Sequence, residues 1–266
     1  FLMIRRPPRS THCISSAASD VYKRQTLDDE YQYDSEGGGH TVSVEGDLVF
    51  IGRVRNSVDS TASDGLESQY GIHKMTSDGS IATLLTLDLP NLSPRCIHSS
   101  HINGDLLIGL SNDSGRVMRC DGRTGGKIGD IELDEEGQRL YVYPCYITEN
   151  KINGDIVVSD RCKDALVVVD RSGRHRFDYS GQPTDKSFHP RGVCTDVLGR
   201  ILVDHTVDDD DYHDNDCISL LDQDGLFLTR LLTEPADPDE FIFRSLCVDN
   251  KNNIYVACDG IITVFR

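Results

Sequence analysis

Short apolar runs recur along the chain, each following a polar turn. Five of them share one form, a pair of turn residues and then four or more mostly apolar residues: Gly46-Asp47 before LVFIG, Gly104-Asp105 before LLIG, Gly154-Asp155 before IVVS, Gly199-Arg200 before ILVD, and Asn252-Asn253 before IYVA. Successive runs begin 58, 50, 45 and 53 residues apart. A repeat of this length is typical of propellers, solenoids and other arrays.

Each run has further short strands around it. A strand-like segment precedes four of the runs, at residues 94–102, 144–152, 190–196 and 244–249. Two more strand-like segments follow, joined by a turn that holds Asp78-Gly79, Asp121-Gly122, Ser172-Gly173 or Asp224-Gly225. Glycine in such pairs supplies the positive φ that tight hairpin turns require. Four strands per repeat predict an all-β fold, a β-propeller; a solenoid is disfavoured because no stretch has helical periodicity.

Residues 1–25 differ in character from everything that follows. The segments MIRRPPRST and SSAASDVYKRQ can be reverse-translated into the oligonucleotides of a sequencing library. We therefore interpret residues 1–25 as a translated adapter that is expected to be disordered, and exclude it from fold reasoning. The biological sequence then starts no earlier than Thr26, and residues 26–266 are predicted to form one propeller that is truncated at its N-terminal side.

Charge disfavours two classes of partner. The whole chain has 27 basic and 44 acidic residues and a formal charge of −17. Residues 1–25 hold five of the basic residues and one acidic residue, so the remainder has 22 and 43 and a charge of −21. Nucleic-acid binding normally requires a basic patch, and anionic lipid attracts basic segments. RNA is therefore a disfavoured partner and a membrane is not expected; no apolar run approaches the roughly 20 residues that a membrane span needs.

The cysteines favour a reducing compartment. Eight remain after Cys13 is set aside, and Cys194 and Cys247 lie inside apolar stretches. Unpaired cysteine is among the most buried residue types. Because no CxxC pair occurs, a zinc site of the finger or ribbon type is also disfavoured. The sequence thus predicts reduced thiols and a cytoplasmic protein.

The fourth and third repeats resemble a known family. The fourth reads HPRGVCTD and then LGRILVDH, which is similar to the NHL repeat, and LCVDNKNNIYVACDG near the end has the same form. The third, YITENKINGDIVVSDRCKDALVVVDRSGRHRFDYSGQP, resembles the NHL propeller of invertebrate tripartite-motif (TRIM) proteins, notably the bivalve group. The resemblance covers residues 26–266 and is loosest in the first repeat.

This resemblance implies a six-bladed propeller at the C-terminal end of a longer chain. A RING finger, B-boxes and a coiled coil would precede it, and the whole protein would be an E3 ubiquitin ligase whose propeller selects the target. About five of the six four-stranded blades are expected here, with residues 261–265 as the third strand of the last one. Oligomerisation would come from the coiled coil, which this sequence lacks.

Loops that join the second and third strands of each blade open on one face. They are predicted at residues 53–70, 111–116, 160–164, 205–216 and 258–260, and two of them are longer than a hairpin needs. Loops on a rigid scaffold commonly carry recognition. The candidate binding residues on this face are therefore Arg53, Arg55, Arg116, Arg161, Lys163, Asp208, Asp209, Asp210, Asp211 and Tyr212.

Two features invite a metal interpretation. The tract DHTVDDDDYHDND, residues 204–216, offers carboxylates suited to calcium. Consecutive aspartates cannot all point inward, however, so a solvated acidic loop or a contact for a basic partner is favoured. Asp196 and Asp249 occupy the same place in two repeats, which favours a structural turn aspartate over a channel metal ligand. His98, His101, His189 and His205 fall at non-equivalent positions, and no catalytic residue, metal site or cofactor is predicted.

Three functions remain. The first is a protein-interaction propeller that recruits a protein partner or ubiquitination substrate for a TRIM-type ligase, itself not an enzyme. The second is RNA recognition, which the family resemblance allows and the charge opposes. The third is a metal-dependent propeller hydrolase or lyase.

Overall fold

The computed structural model of the protein describes residues 39–54, 69–88, 92–112, 114–208, 214–235, 243–258 and 261–265. Strands account for its regular structure, and within these ranges there is no helix. No described helix could therefore cross a bilayer. The all-β prediction is confirmed.

Within the described ranges, nineteen strands form five antiparallel sheets, one per repeat. The first sheet contains β1 His40–Val42, β2 Leu48–Val54, β3 Gln69–Met75 and β4 Ile81–Leu87. The second contains β5 Leu92–Ser99, β6 Leu106–Asn112, β7 Arg116–Cys120 and β8 Lys127–Ile131. The third contains β9 Pro144–Glu149, β10 Ile156–Asp160, β11 Ala165–Val169 and β12 His175–Tyr179. The fourth contains β13 His189–Thr195, β14 Ile201–Asp208, β15 Asp214–Leu221 and β16 Phe227–Pro235. The fifth contains β17 Phe243–Val248, β18 Ile254–Cys258 and β19 Ile261–Phe265.

The sheets are the blades of a β-propeller. Strand order within each sheet follows chain order, and the first strands β1, β5, β9, β13 and β17 pack against one another in succession around the centre. As predicted, β19 is the third strand of the last sheet. Because neighbouring strands are antiparallel, the connections fall at two ends of the blades. We call the end with the 1→2 and 3→4 hairpins the turn rim, and the end with the 2→3 loops and the sheet-to-sheet crossovers the loop rim.

Four apolar cores lie between successive blades, each built by both neighbours. In β6, Leu106 and Ile108 face the first blade while Leu107 faces the third. In β10, Val157 faces the fourth blade while Ile156 faces the second. Alternate side chains of one strand point to opposite faces of its sheet, so a strand covered on both faces is apolar throughout. Burying each such side chain contributes roughly 1.5–3 kcal/mol.

Three predicted segments have different bounds in the structure. The predicted strands at residues 94–102 and 144–152 stop at Ser99 and Glu149, because Ser100 and Asn150 accept turn hydrogen bonds from the N–H groups of Ile102 and Ile152. The predicted loop at residues 205–216 is wrong in its bounds. The β14–β15 ladder continues to the pair Asp208 and Asp214, so most of the predicted loop belongs to the two strands.

Most of the described cysteines are buried. No disulfide joins the seven cysteines that the structure describes, and five of the seven are buried. Cys162, in the 2→3 loop of the third blade, is exposed.

In the first three blades, an aliphatic side chain of the 1→2 turn packs over the turn glycine of the next blade. Val44 covers Gly104, Ile102 covers Gly154, and Ile152 covers Gly199. These glycines all have φ near +78°, a conformation that residues with a Cβ rarely adopt. One glycine per turn therefore provides both the backbone conformation and the space for its neighbour.

Gly199→Ala and Gly137→Ala separate these two contributions, because both glycines have a φ of +78°. A Cβ on Gly137 would meet nothing within 4 Å, whereas one on Gly199 would lie 3.0 Å from Ile152 Cγ1 and 3.0 Å from Asn150 Oδ1. We expect Gly137→Ala to lower the free energy of unfolding by about 1 kcal/mol, from backbone strain alone. Gly199→Ala should lower the free energy of unfolding by roughly a further 1–3 kcal/mol, because the added Cβ overpacks against Ile152 and Asn150. Urea unfolding measures both, and equal losses would contradict the packing argument.

Candidate functional site

A central channel runs between the five first strands. Residues from β1, β5, β9, β13 and β17 line a pocket in it that is open to solvent. The lining comes from the C-terminal parts of these strands and includes His101 and Lys151 in the turns. The pocket therefore lies toward the turn rim, where the 1→2 hairpins begin.

Glu149 is the buried charged residue at the end of β9, and it joins the third blade to the second. Ser100 Oγ lies 3.0 Å and 2.9 Å from its two carboxylate oxygens, and the backbone N–H of His101 donates to Oε2 at 3.1 Å. His101 Nδ1 lies 2.8 Å from the same oxygen. Burial opposes ionisation of Glu149, but the hydrogen bond and charge of His101 outweigh it and lower the pKa below its usual value.

His98 completes a cluster around this carboxylate. One nitrogen of His98, one nitrogen of His101 and one oxygen of Glu149 lie within 4.8 Å of one another. His98 lies in β5 and His101 in the turn that follows, so the change from strand to turn brings their rings to one side of Glu149. Two imidazoles and a carboxylate are a donor set that zinc uses in proteins.

This cluster was not predicted from the sequence, because the two histidines fall at non-equivalent positions of the repeat. In the ladders, Glu149 has the same place as Ser99, Thr195 and Val248, each opposite the first residue of the next strand. A buried carboxylate at that place breaks the repeat. Departures from local consistency often mark functional positions, and this departure is the sequence signal that could have found the site.

The turn aspartates behave as the structural alternative predicts. Asp196 Oδ1 accepts hydrogen bonds from the backbone N–H groups of Leu198 and Arg200, both at 2.9 Å. Asp249 Oδ1 accepts from Lys251 and Asn253 at 2.8 and 2.9 Å. Both carboxylates are therefore occupied in closing their hairpins.

The described candidate residues lie on the loop rim, and most of them contact a partner within the chain. The Arg53 guanidinium lies 5.8 Å from the Tyr70 ring centroid, and Arg116 lies 3.5 Å from Asp130. Lys163 Nζ donates to the Leu140 carbonyl at 3.0 Å and lies 2.8 Å from Asp178. The crossover and β12 thus hold the amine of Lys163 in a partly buried position.

The remaining candidates are less well placed. Arg161 is exposed, and its backbone N–H donates to the Tyr143 carbonyl. Asp208 ends β14. Five candidates lie outside the described residues, namely Arg55, Asp209, Asp210, Asp211 and Tyr212.

A crossover hairpin on the loop rim was also missed, because the sequence analysis considered only the 2→3 loops there. Residues 132–141, which we call the crossover hairpin, lie between β8 and β9. One bridge pairs Leu133 with Arg139 within the hairpin, and another pairs Tyr141 with Gly115 of the second blade. Tyr141 is fully buried, and burial raises the pKa of its hydroxyl. Asp160 accepts the next backbone N–H groups, from Val142 at 2.6 Å and Tyr143 at 2.9 Å.

The crossover hairpin exposes both acidic and aliphatic side chains. Glu135 and Glu136 at its tip are exposed. Leu133 is 50% exposed, and Val142, just after the hairpin, is 47% exposed. A firmly anchored segment thus presents carboxylates beside apolar side chains at the loop rim.

The ends of the acidic tract are tied into the fourth blade. Asp204 is buried in β14, and Arg191 of β13 pairs with Asp216 and lies 3.7 Å from Asp204. Burial raises the pKa of Asp204 to about 7; Arg191 opposes this shift and Asp216 adds to it. Next to it, burial lowers the pKa of His205 to about 4, and His205 Nε2 lies 2.8 Å from Ser219 Oγ. The described carboxylates of this tract face an arginine, which leaves them poorly suited to calcium.

No family model matches the chain, and no curated protein matches it. Solved structures are similar in fold. A protein of unknown function from Dyadobacter fermentans has a TM-score of 0.56 at 14% identity, covering 88% of this chain and 79% of its own. One from Bacteroides caccae has a TM-score of 0.55 at 14% identity, covering 86% and 72%. A gluconolactonase from Xanthomonas campestris has a TM-score of 0.54 at 13% identity, covering 84% and 69%. These likenesses show the propeller fold.

Asp204→Asn is expected to change how stability depends on pH. The folded state keeps the Asp204 proton up to a pKa of about 7, whereas the unfolded state releases it near the usual 3.8. The contribution of this group to stability is therefore complete below about pH 3.8 and is lost as the pH rises through 7. His205 acts in the opposite direction between its lowered pKa of about 4 and its usual 6.5, because the unfolded state binds the proton there.

The asparagine variant should thus gain stability over the wild type, on the order of 1 kcal/mol or more, at pH 8 but not at pH 4. Between pH 4 and 6.5 it should also become more stable with rising pH, because the His205 slope is no longer offset. Urea unfolding across this pH range is the measurement, with Asp224→Asn, at an exposed carboxylate, as the control. If the free energy of unfolding of the variant differs from that of the wild type by the same amount at pH 5 and at pH 8, Asp204 does not have a raised pKa.

Proposed function

We propose that this chain is a protein-interaction propeller that binds its partner at the loop rim. The observation that carries the proposal is the crossover hairpin, which is anchored by the buried Tyr141 and by Asp160 and yet exposes Leu133, Glu135, Glu136 and the adjacent Val142. Aliphatic side chains surrounded by charges on a rigid support are typical of protein interfaces, whose core is apolar and whose rim is polar.

The charge of this rim favours a basic protein partner over RNA. Arg116 and Lys163 lie beside carboxylates of their own blades, which reduces their attraction for phosphate. Glu135 and Glu136 are exposed at the hairpin tip, and the tract at residues 208–214 holds further aspartates. Complementary charge across an interface speeds encounter and discriminates against wrong partners. A basic segment of another protein fits these conditions.

The resemblance of the third and fourth repeats to NHL repeats extends this proposal. The chain would be the target-recruiting part of a TRIM-type E3 ubiquitin ligase, and the captured protein would be its substrate. RNA recognition is the alternative that the same resemblance supports, and the acidic charge opposes it.

The test is capture of proteins from cells by the purified chain, compared with Glu135→Lys/Glu136→Lys. This pair reverses charge at the hairpin tip, where neither glutamate forms a described ion pair. We expect a set of basic proteins to bind the wild type and to lose at least about tenfold in affinity with the variant, as for charges that steer association. The control Glu45→Lys/Asp224→Lys makes the same charge change on the turn rim, at surface ion pairs that contribute little to stability.

Two further measurements test the RNA alternative and the assignment to a ubiquitin ligase. Filter binding with single-stranded RNA should show no binding that weakens steeply with salt, and such binding would favour the RNA alternative. Joining the chain to a RING module should lead to ubiquitin transfer to the captured protein and not to proteins that the hairpin variant fails to bind. Equal capture by the hairpin variant and the turn-rim control would overturn the assignment of the interface.

A further inference from the structure

A second site lies at the opposite end of the molecule, and it does not depend on the proposed interaction. We propose that His98, His101 and Glu149 bind one zinc-type divalent cation where the central channel meets the turn rim. The three donor atoms lie within 4.8 Å of one another and come from two adjacent blades. The residues also line the solvent-connected pocket of the channel.

The distances suit a metal after a small adjustment. Donor atoms about 2.0–2.2 Å from a tetrahedral zinc ion are separated by about 3.3 Å. His101 Nδ1 and Glu149 Oε2 are already 2.8 Å apart. The other pairs of donor atoms are at most 4.8 Å apart, so they would have to approach by at most about 1.5 Å. Side-chain rotation into an open channel supplies a movement of this size without a change in the strands.

Neighbouring groups hold the donors in place. Ser100 Oγ and the backbone N–H of His101 orient the Glu149 carboxylate. The Nδ1 side of His101 faces this carboxylate, while its Nε2 is buried and has no hydrogen-bond partner among the described residues. Because Nδ1 of His101 already lies beside a Glu149 oxygen, these two atoms are the donors that one cation would share.

The arrangement predicts the type of site. Three protein ligands of this kind leave a fourth position of a tetrahedral zinc for water or another ligand. That position would face the channel, because Thr148 and His40 also line the pocket around the cluster. The purely structural alternative is a His101–Glu149 ion pair that joins two blades and binds no metal.

The test uses the whole purified chain, treated with a chelator and then titrated with zinc and with cobalt(II). We expect one equivalent to bind per chain, with a visible cobalt spectrum typical of four coordination and a rise in the melting temperature with zinc. His98→Ala and Glu149→Gln should each weaken binding by more than about tenfold. Glutamine has nearly the same volume as glutamate and keeps an oxygen that accepts from Ser100.

His175→Ala is the matched control, because His175 Nε2 also contacts a carboxylate, that of Asp178, at 2.9 Å, but lies on the outer strand β12. This variant should bind zinc as the wild type does. If Glu149→Gln does not fold, the loss of zinc binding in His98→Ala is the deciding result. This variant is expected to fold, because His98 is only half-buried. The absence of saturable binding to the wild type, or equal binding by His98→Ala and His175→Ala, would overturn the proposal and leave the ion pair as the role of Glu149.

Discussion

Each blade of this protein can bury its two faces only against its neighbours, and the rest of the structure depends on that constraint. The alternation in β6, where Leu106 and Leu107 enter different cores, shows how one strand serves two interfaces at once. No sheet here has a core of its own, as expected of repeat proteins, whose units gain stability from adjacent units. The positions of both rims, and of the channel between the first strands, follow from this stacking.

The same constraint explains how much of the fold the sequence predicted. Runs such as IVVS and LLIG must be apolar on both faces of a sheet, so they are visible without an alignment, and the Asp-Gly pairs mark the hairpins. The ends of the strands were harder to predict. Ile102 and Ile152 look like strand residues. They lie in turns instead, where each packs over a glycine of the next blade.

The candidate sites were predicted less well, for a different physical reason. Lys163 forms an ion pair with Asp178 and donates a hydrogen bond to the Leu140 carbonyl. These contacts join separate elements, so spacing along the chain does not reveal them. Glu149 and the two histidines come from different repeats, about 50 residues apart, and meet only because the blades stack. The one sign of the site in the sequence is Glu149 itself, which stands where the other blades have Ser99, Thr195 and Val248.

The buried Tyr141 has a consequence for how a partner would be bound. A segment that orders only on binding loses chain entropy at that moment and weakens the complex accordingly. In the crossover hairpin, the entropy loss has already occurred during folding, because Tyr141 and the hydrogen bonds to Asp160 fix its base. Recognition there would be close to the meeting of two rigid bodies, with a rate set by diffusion and charge rather than by loop rearrangement.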